Sequence, residues 1–339
     1  MELEQLGLEV SEDDTKAETE AECGNLFTRL PGPEGARTVM LGAHLDTVPL
    51  ADRVEVECVD GVFRNRRAAI LGADNKAAVA MLLELARRFA RGGAPVTCEL
   101  LFTMSEENGL RGAKAFDRSQ LQADFGYVFD HASPIGDLMV AAPTYYQVTA
   151  DFIGQAAHSG IRPEDGRSAI VAAAKAIDKM ELGRLDEETT ANVGVIEGGT
   201  ATNVVPARCR VMAEVRSLDD DKASARLSEM VDALTWAASA THTDVDTSIE
   251  KQFDSYRMPE SDPCVVAATN ALRDCGIEPQ FVPSGGGSDA NAFEAKGFRC
   301  LNIANGTEAN HTPEESVTEH ALEKMLAVTE RLLHRAAEA

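Results

Sequence analysis

The sequence predicts an α/β protein, a helix-covered and mostly parallel sheet carrying an inserted ferredoxin-like α+β domain. Three observations predict it. Short apolar runs recur along the chain, each ending in a polar or acidic residue. Stretches between several of them carry helical periodicity, and strands alternating with helices build a parallel sheet. The middle third changes texture, to half-exposed alternating strands and two helices in the order β-α-β-β-α-β.

The apolar runs come first. Thr38-Val-Met-Leu runs into Gly42-Ala-His44-Leu-Asp46, Val96 to Met104 into Ser105-Glu106-Glu107, and Phe125-Gly-Tyr-Val-Phe into Asp130-His131. Arg299-Cys-Leu-Asn-Ile-Ala leads towards His311. Continuous apolarity at strand length signals burial on both faces. Asp74 opens a helix whose apolar side is Val79, Leu82, Leu83, Ala86 and Phe89, stopped by Gly92-Gly93, and a last helix runs from Ser316 to about Ala336. In the middle, strands are expected at Tyr145–Ile153, Asn192–Ile196, Ala207–Leu218 and Asp244–Phe253, with helices at Arg167–Met180 and Asp220–Ala240. Residues 143–252 therefore read as an insertion into a domain made of 1–142 and 253–339, with hinges at Pro143 and at Tyr256 to Pro263. The acidic stretch Ser11 to Glu22 reads as a solvated loop.

Composition narrows the function. The 339 residues are 44% hydrophobic and 26% charged, the balance of a globular chain. Lys plus Arg number 32 against 56 Asp plus Glu, a net charge of −24 that repels phosphate backbones and anionic lipid, so neither nucleic acid nor membrane is an expected partner. No apolar run reaches the roughly 18 residues of a membrane span. The N-terminus lacks the basic and apolar regions of a secretory signal. Seven scattered cysteines without a CxxC pair fit reduced thiols in a cytoplasmic protein and give no thiolate metal site.

In open parallel sheets functional groups collect beyond the carboxyl ends of the strands, where the acids and histidines lie here. In His44-Leu-Asp46 the two polar residues are two apart, so Asp46 can accept the ring N–H of a metal-bound His44. A plain strand-end histidine is the other reading. Asp74 suits a helix N-cap as well as a ligand. Adjacent Glu106 and Glu107 repel unless a cation or proton intervenes, which fits one ligand and one free general base, or else a solvated acidic turn. Asp130 follows a further strand, and His311 precedes a capped helix. Together, five segments deliver His44, Asp74, Glu107, Asp130 and His311 to one sheet edge. Two His and three carboxylates suit zinc, manganese or cobalt. That is too much negative charge for one dication, so two ions sharing a bridging group are expected.

These residues carry a family resemblance. Gly42-Ala-His44-Leu-Asp46-Thr, Leu71-Gly-Ala-Asp74-Asn-Lys, Ser105-Glu106-Glu107-Asn-Gly, Ala157-His158-Ser-Gly160, Gly198-Gly-Thr-Ala-Thr-Asn203 and Gly285-Gly286-Gly287-Ser-Asp289-Ala-Asn resemble peptidase T-like metallopeptidases. These belong to the clan of dinuclear aminopeptidases, carboxypeptidases and N-acyl-amino-acid deacylases, whose catalytic domain is zinc-exopeptidase-like. The motifs stand in family order from about Gly24 to Leu333. The resemblance implies His44, Asp74 and Asp130 on one ion and Asp74, Glu107 and His311 on the other, Asp74 bridging. It makes Glu106 the general base and Asp46 the acid that orients His44. It places His158 and Asn203 in a lid that reaches the substrate, the lid His coming from the partner subunit in related dimers. Arg216 would hold a substrate carboxylate, and the loop through Gly286, Gly287 and Asp289 would contact substrate main chain.

Two departures stand out. Family members usually carry an N-terminal helix and strand-leading segment before the Gly24-Asn25 region, whereas this chain begins inside it; a misassigned start, a truncation or a divergent protein lacking some packing on the catalytic sheet are the readings. His131 stands where the family has small residues, leaving an added ligand or an altered pocket as readings. The resemblance implies a two-metal exopeptidase acting on short peptides, most like a tripeptide aminopeptidase, with a possible homodimer through the lid domain. The alternatives are an N-acyl-amino-acid deacylase or carboxypeptidase with the same centre, and a non-catalytic binding protein of the same fold.

Overall fold

A computed structural model describes residues 2–19 and 21–338. The chain divides into two compact units, Met1–Ala142 with Tyr256–Ala339, and Pro143–Ser255.

The first unit is built on a nine-stranded sheet. Its centre is parallel, with Thr97–Thr103, Thr38–His44, Phe125–Val128 and Cys300–Ile303 side by side. The flanks are antiparallel: Leu26–Leu30 joins Thr97–Thr103 on one side, and Asp137–Ala142 joins Cys300–Ile303 on the other. The central strands are apolar because both faces are covered. Val39, Met40, Leu41, Leu100 and Leu101 are wholly buried, each such side chain contributing about 1.5–3 kcal/mol. Helices Ala73–Gly92, Pro263–Asp274 and Glu319–Ala336 pack together, and Arg111–Ala115 packs on Asp289–Ala295. A small second sheet joins Val56–Val59, Val62–Asn65, Ser316–Thr318 and Thr307–Glu308.

Two expectations need correcting here. Ser316 does not start the last helix. Ser316–Thr318 is a strand paired with Val62–Asn65, and the helix begins at Glu319, with the Thr318 hydroxyl accepting from Ala321 N–H. The Ser11–Glu22 stretch is not a free acidic loop either. Val10–Glu12 pairs with Leu26–Leu30, extending the sheet at the chain's N-terminal end, and the Asp13 carboxylate accepts from the backbone N–H and side-chain amide of Asn25. The Asn25 side-chain oxygen Oδ1 in turn accepts from Met104 N–H, which steadies the chain just before Glu106.

The second unit is a wholly antiparallel sheet, with Thr189–Gly198, Arg208–Ser217, Thr144–Ile153 and Asp244–Phe253 in that order and the two-residue Gly183–Arg184 at one edge. Counting the four long strands along the chain, the order is 2-3-1-4, the ferredoxin-like arrangement. Helices Ala169–Lys179 and Asp220–Ala240 cover it through Ala172, Ala173, Ala176, Leu234 and Ala237, against Val148, Phe152 and Val211. Small alanines let the helices lie close to the sheet.

Candidate metal centre

The strand ends of the first unit bring one cluster together. His44, 1% exposed, closes the strand Thr38–His44, and its Nε2 lies 3.1 Å from Asp74 Oδ1 and 3.5 Å from Asp130 Oδ1. Its Nδ1 faces Asp46, 3.2 Å from the backbone carbonyl and 3.5 Å from the carboxylate. Asp46 also accepts from the N–H groups of Glu106 and Glu107 at 3.0 and 3.1 Å. One carboxylate thereby orients both the histidine and the paired glutamates. On the far side of Asp74, His311 Nε2 lies 3.3 Å from Oδ2 and 3.1 Å from Glu107 Oε1.

Local backbone features explain how these side chains converge. Ser105 adopts φ 54°, turning the chain sharply after Thr97–Thr103 so that Glu106 and Glu107 follow at once. Gly72, at φ 77°, occupies the left-handed region that suits a residue without Cβ. Ahead of the regular helix, Asp74 and Asn75 keep non-helical torsions, so Asp74 is a turn residue rather than an N-cap. Asn302 holds Asp130 in place, its carbonyl oxygen accepting from Asp130 N–H and its amide donating to Asp130 C=O.

The electrostatics describe a site crowded with like charge. Burial pushes Glu106 well above the carboxylate range, and Asp130 adds to it. Burial lifts Asp130 to about 6 despite His44 beside it. Burial opposes a charge on His44, yet Asp130, Asp46 and Asp74 outweigh it and push the imidazole well up. Hydrogen bonds to Asp74 and Glu107 raise His311 to about 10. Asp74 goes the other way: burial resists its charge, but His311 and His44 hold it well below the usual range. Protons here sit where dications would relieve the same repulsion. Two groups of three donors, His44/Asp74/Asp130 and Asp74/Glu107/His311, each have ligand atoms within 4.8 Å of one another, and Asp74 belongs to both. Nitrogen plus carboxylate oxygen is a donor set for zinc, manganese or cobalt, so the residues fit the ions. A third group, His44/Glu106/Glu107, meets the same spacing, with Glu106 buried.

The other residues singled out by sequence are placed differently. Asp289 is buried at the start of the helix Asp289–Ala295, hydrogen-bonded to the Thr103 hydroxyl and pushed by burial to about 7. Gly286 forms a turn with Ser284, whose hydroxyl accepts from its N–H, and Gly287 is half-buried beside it. His131 stands in none of the donor groups found among the described residues, and burial holds its imidazole down. In the second unit, the segments of His158 and Asn203 run side by side, with Ser159 N–H donating to Asn203 C=O at 3.0 Å and His158 bridged to Val204. Both side chains are exposed. Arg216 lies 4.1 Å over the Tyr145 ring, and its Nε and Nη2 each donate to Glu214 at 3.2 Å.

Sequence reasoning missed Asn302, Thr103, Asn310 and Glu315. Asn310 donates to Asp74 Oδ2 at 2.9 Å and adjoins His311, which is the one signal that pointed at it.

Comparison with known proteins now decides the family. Residues 40–335 match the peptidase family M20/M25/M40. The chain belongs to that family. This M20 peptidase is 38% identical to the uncharacterized protein YqjE of Bacillus subtilis, over 98% of this chain and 90% of that one. The crystal structure of aminopeptidase PepT from Bacillus cereus matches it with a TM-score of 0.88 at 38% identity, covering 99% of this chain and 91% of that one. A tripeptidase structure from Staphylococcus aureus matches with a TM-score of 0.94 at 31% identity, over 100% and 91% of the two chains. The peptidase T-like resemblance and the α/β fold read from the motifs agree with these matches.

Proposed function

We propose that this M20 peptidase hydrolyses short peptides at a centre of two divalent ions, and that its activity is closest to a tripeptide aminopeptidase. The observation that carries the reading is Asp74, whose two oxygens face two different histidines, each completing its own donor group. His44, Asp74 and Asp130 would hold one ion, and Asp74, Glu107 and His311 the other. Zinc is the first choice, with manganese or cobalt also suited to these donors. Such ions supply Lewis acidity, polarising the scissile carbonyl and lowering the pKa of the attacking water. Glu106 does the proton work: its carboxylate takes a proton from that water and passes it to the leaving amine. Its backbone N–H is fixed on Asp46 at 3.0 Å, and Asp46 also faces His44 Nδ1, so base and ligand share one support. The similarity to an aminopeptidase and a tripeptidase supports the substrate class.

In the second unit, His158 and Asn203 would meet the peptide and Arg216 its carboxylate, although Arg216 must exchange Glu214 for that partner. Among the described residues, the strand Thr189–Gly198 has only Gly183–Arg184 beyond it and exposes Val195 and Ile196, an edge that supports a homodimer through this unit. Among the described residues no helix is long and apolar enough to cross a membrane. A cytoplasmic location rests on the reduced cysteines alone, all seven being free.

A substrate panel tests the reading. Metal-reconstituted protein is given free tripeptides, N-blocked peptides and N-acyl amino acids. Preference for free tripeptides supports an aminopeptidase. Cleavage of N-acyl amino acids alone moves the assignment to the deacylases, and release of C-terminal residues from N-blocked peptides moves it to the carboxypeptidases.

A further inference from the structure

Adjacent glutamates at 314 and 315 have opposite fates. Glu314 is exposed, whereas Glu315 is 1% exposed. Its two oxygens accept from Gly72 N–H at 2.8 Å and from Asp74 N–H at 2.9 Å. These donors lie 243 and 241 residues away along the chain. They need an acceptor. Gly72, the residue before the helix, has no side chain of its own to cap it. Gly72 and Asp74 are both buried, so their N–H groups need a hydrogen-bond acceptor away from bulk water.

The other end of this link is the segment that carries His311. Ala309 and His311 both adopt positive φ, 54° and 66°, conformations that persist only where surrounding structure fixes them. Glu315 N–H donates to Thr312 C=O at 3.1 Å, closing the turn after His311, and the strand Ser316–Thr318 pairs with Val62–Asn65 immediately afterwards. Glu315 thus stands between a strained loop and a paired strand, with its carboxylate on the Asp74 turn.

We propose that Glu315 is a positioning residue of the metal centre, its buried carboxylate tying the His311 loop to the Asp74 turn so that two ligands of one ion meet in register. This rests on the two-ion reading above. The carboxylate touches neither donor side chain. It acts on the backbone that delivers them, and charge-assisted bonds to two N–H groups make that link firm.

The test is zinc binding measured in competition with a chelating dye, on the full chain. Wild type, Glu315→Gln, Glu314→Gln and the core variant Met325→Ala are compared, together with their Tm values without metal. Gln keeps the size of Glu but turns one acceptor into a donor facing an N–H. Glu315→Gln should weaken binding of the ion assigned to Asp74, Glu107 and His311 by about 10–100-fold, the usual cost of losing a residue that orients ligands. Glu314→Gln should bind as wild type. Met325→Ala should also bind as wild type even where it loses as much Tm, since Met325 is buried in the Glu319–Ala336 helix. Should Glu315→Gln fail to fold, Glu315→Asp keeps the charge on a side chain one methylene shorter and should show a smaller loss in the same direction. Unchanged zinc affinity in a folded Glu315 variant overturns the proposal, as does an equal weakening in Met325→Ala at matched Tm. Fewer than one ion on wild type removes the two-ion reading itself, a result recognisable without any Glu315 variant.

Discussion

The two units hold their functional side chains in contrasting ways. In the first, His44, Asp74 and Glu106 are buried and tied to one another or to backbone amides. In the second, His158 and Asn203 are exposed, and the contact resolved for the His158 ring is with its own turn, Gly160 N–H donating to Nδ1 at 3.2 Å. The difference teaches where preorganisation was needed. A centre of like charges must be fixed in advance, because its geometry cannot be assembled cheaply by the substrate. Groups proposed to meet a peptide, such as His158 and Asn203, are left exposed.

The largest effect should come from the residue shared by both donor groups. Asp74→Ala should empty both sites and lower kcat/KM on the order of 10⁴-fold or more, the equivalent of several kcal/mol of lost charge stabilisation. Atomic absorption of the purified variant checks the ion content. Retention of both ions would break the contrast at its root, since the fixed centre would not depend on its central carboxylate.

Next comes the base. Glu106→Gln preserves size and the backbone bond to Asp46, so ion content should survive while kcat falls roughly 10²–10⁴-fold. If Glu107→Gln kept both ions and Glu106→Gln lost one, the roles within the pair would be exchanged.

His158 probes the adaptable side. The family resemblance makes it a donor to the oxyanion, so His158→Ala should cost on the order of 10²–10³ in kcat with little change in KM. Ion content should stay put and Tm should move little, because the exposed ring supports only its own turn through Gly160 N–H. Near-wild-type turnover would leave the second unit with specificity or dimerisation alone.

The smallest effect is a pH slope. In metal-free protein, folding favours the protonated forms of Asp130, raised by burial to about 6, and Asp289, raised by burial to about 7. His311 behaves alike, held at about 10 by Asp74 and Glu107. Such groups contribute stability in full below their unfolded values, about 4 for the acids and 6.5 for histidine, and lose it as pH rises through the folded values. Asp74, lowered, loses its contribution only in acid. Metal-free protein should therefore melt several degrees lower at pH 9 than at pH 5. Saturating zinc should flatten that slope, and a thermal-shift series across pH with and without zinc reads both.

The sequence made the two units unequally legible as well. His44, Glu106, Glu107 and His311 stand out because each follows an apolar run or opens a capped turn, and the helix Asp220–Ala240 has the bounds its periodicity indicates. What stayed hidden depends on contacts between distant segments. Nothing local distinguishes Glu315 from Glu314, since its partners are backbone N–H groups 241 and 243 residues away. Nothing local marks Asp289 as buried, since its burial and its bond to Thr103 depend on a strand 186 residues away. Ser316 read as a helix start because Thr318, the real cap, is itself the last residue of a strand of only three residues.

The most direct test of the central claim is ion stoichiometry. Wild-type protein, stripped with a chelator and re-equilibrated with zinc, manganese or cobalt, should hold close to two ions per chain by elemental analysis, and Asp74→Ala treated identically should hold close to none. A wild-type value that stays below one ion per chain with all three metals would contradict the shared-carboxylate centre.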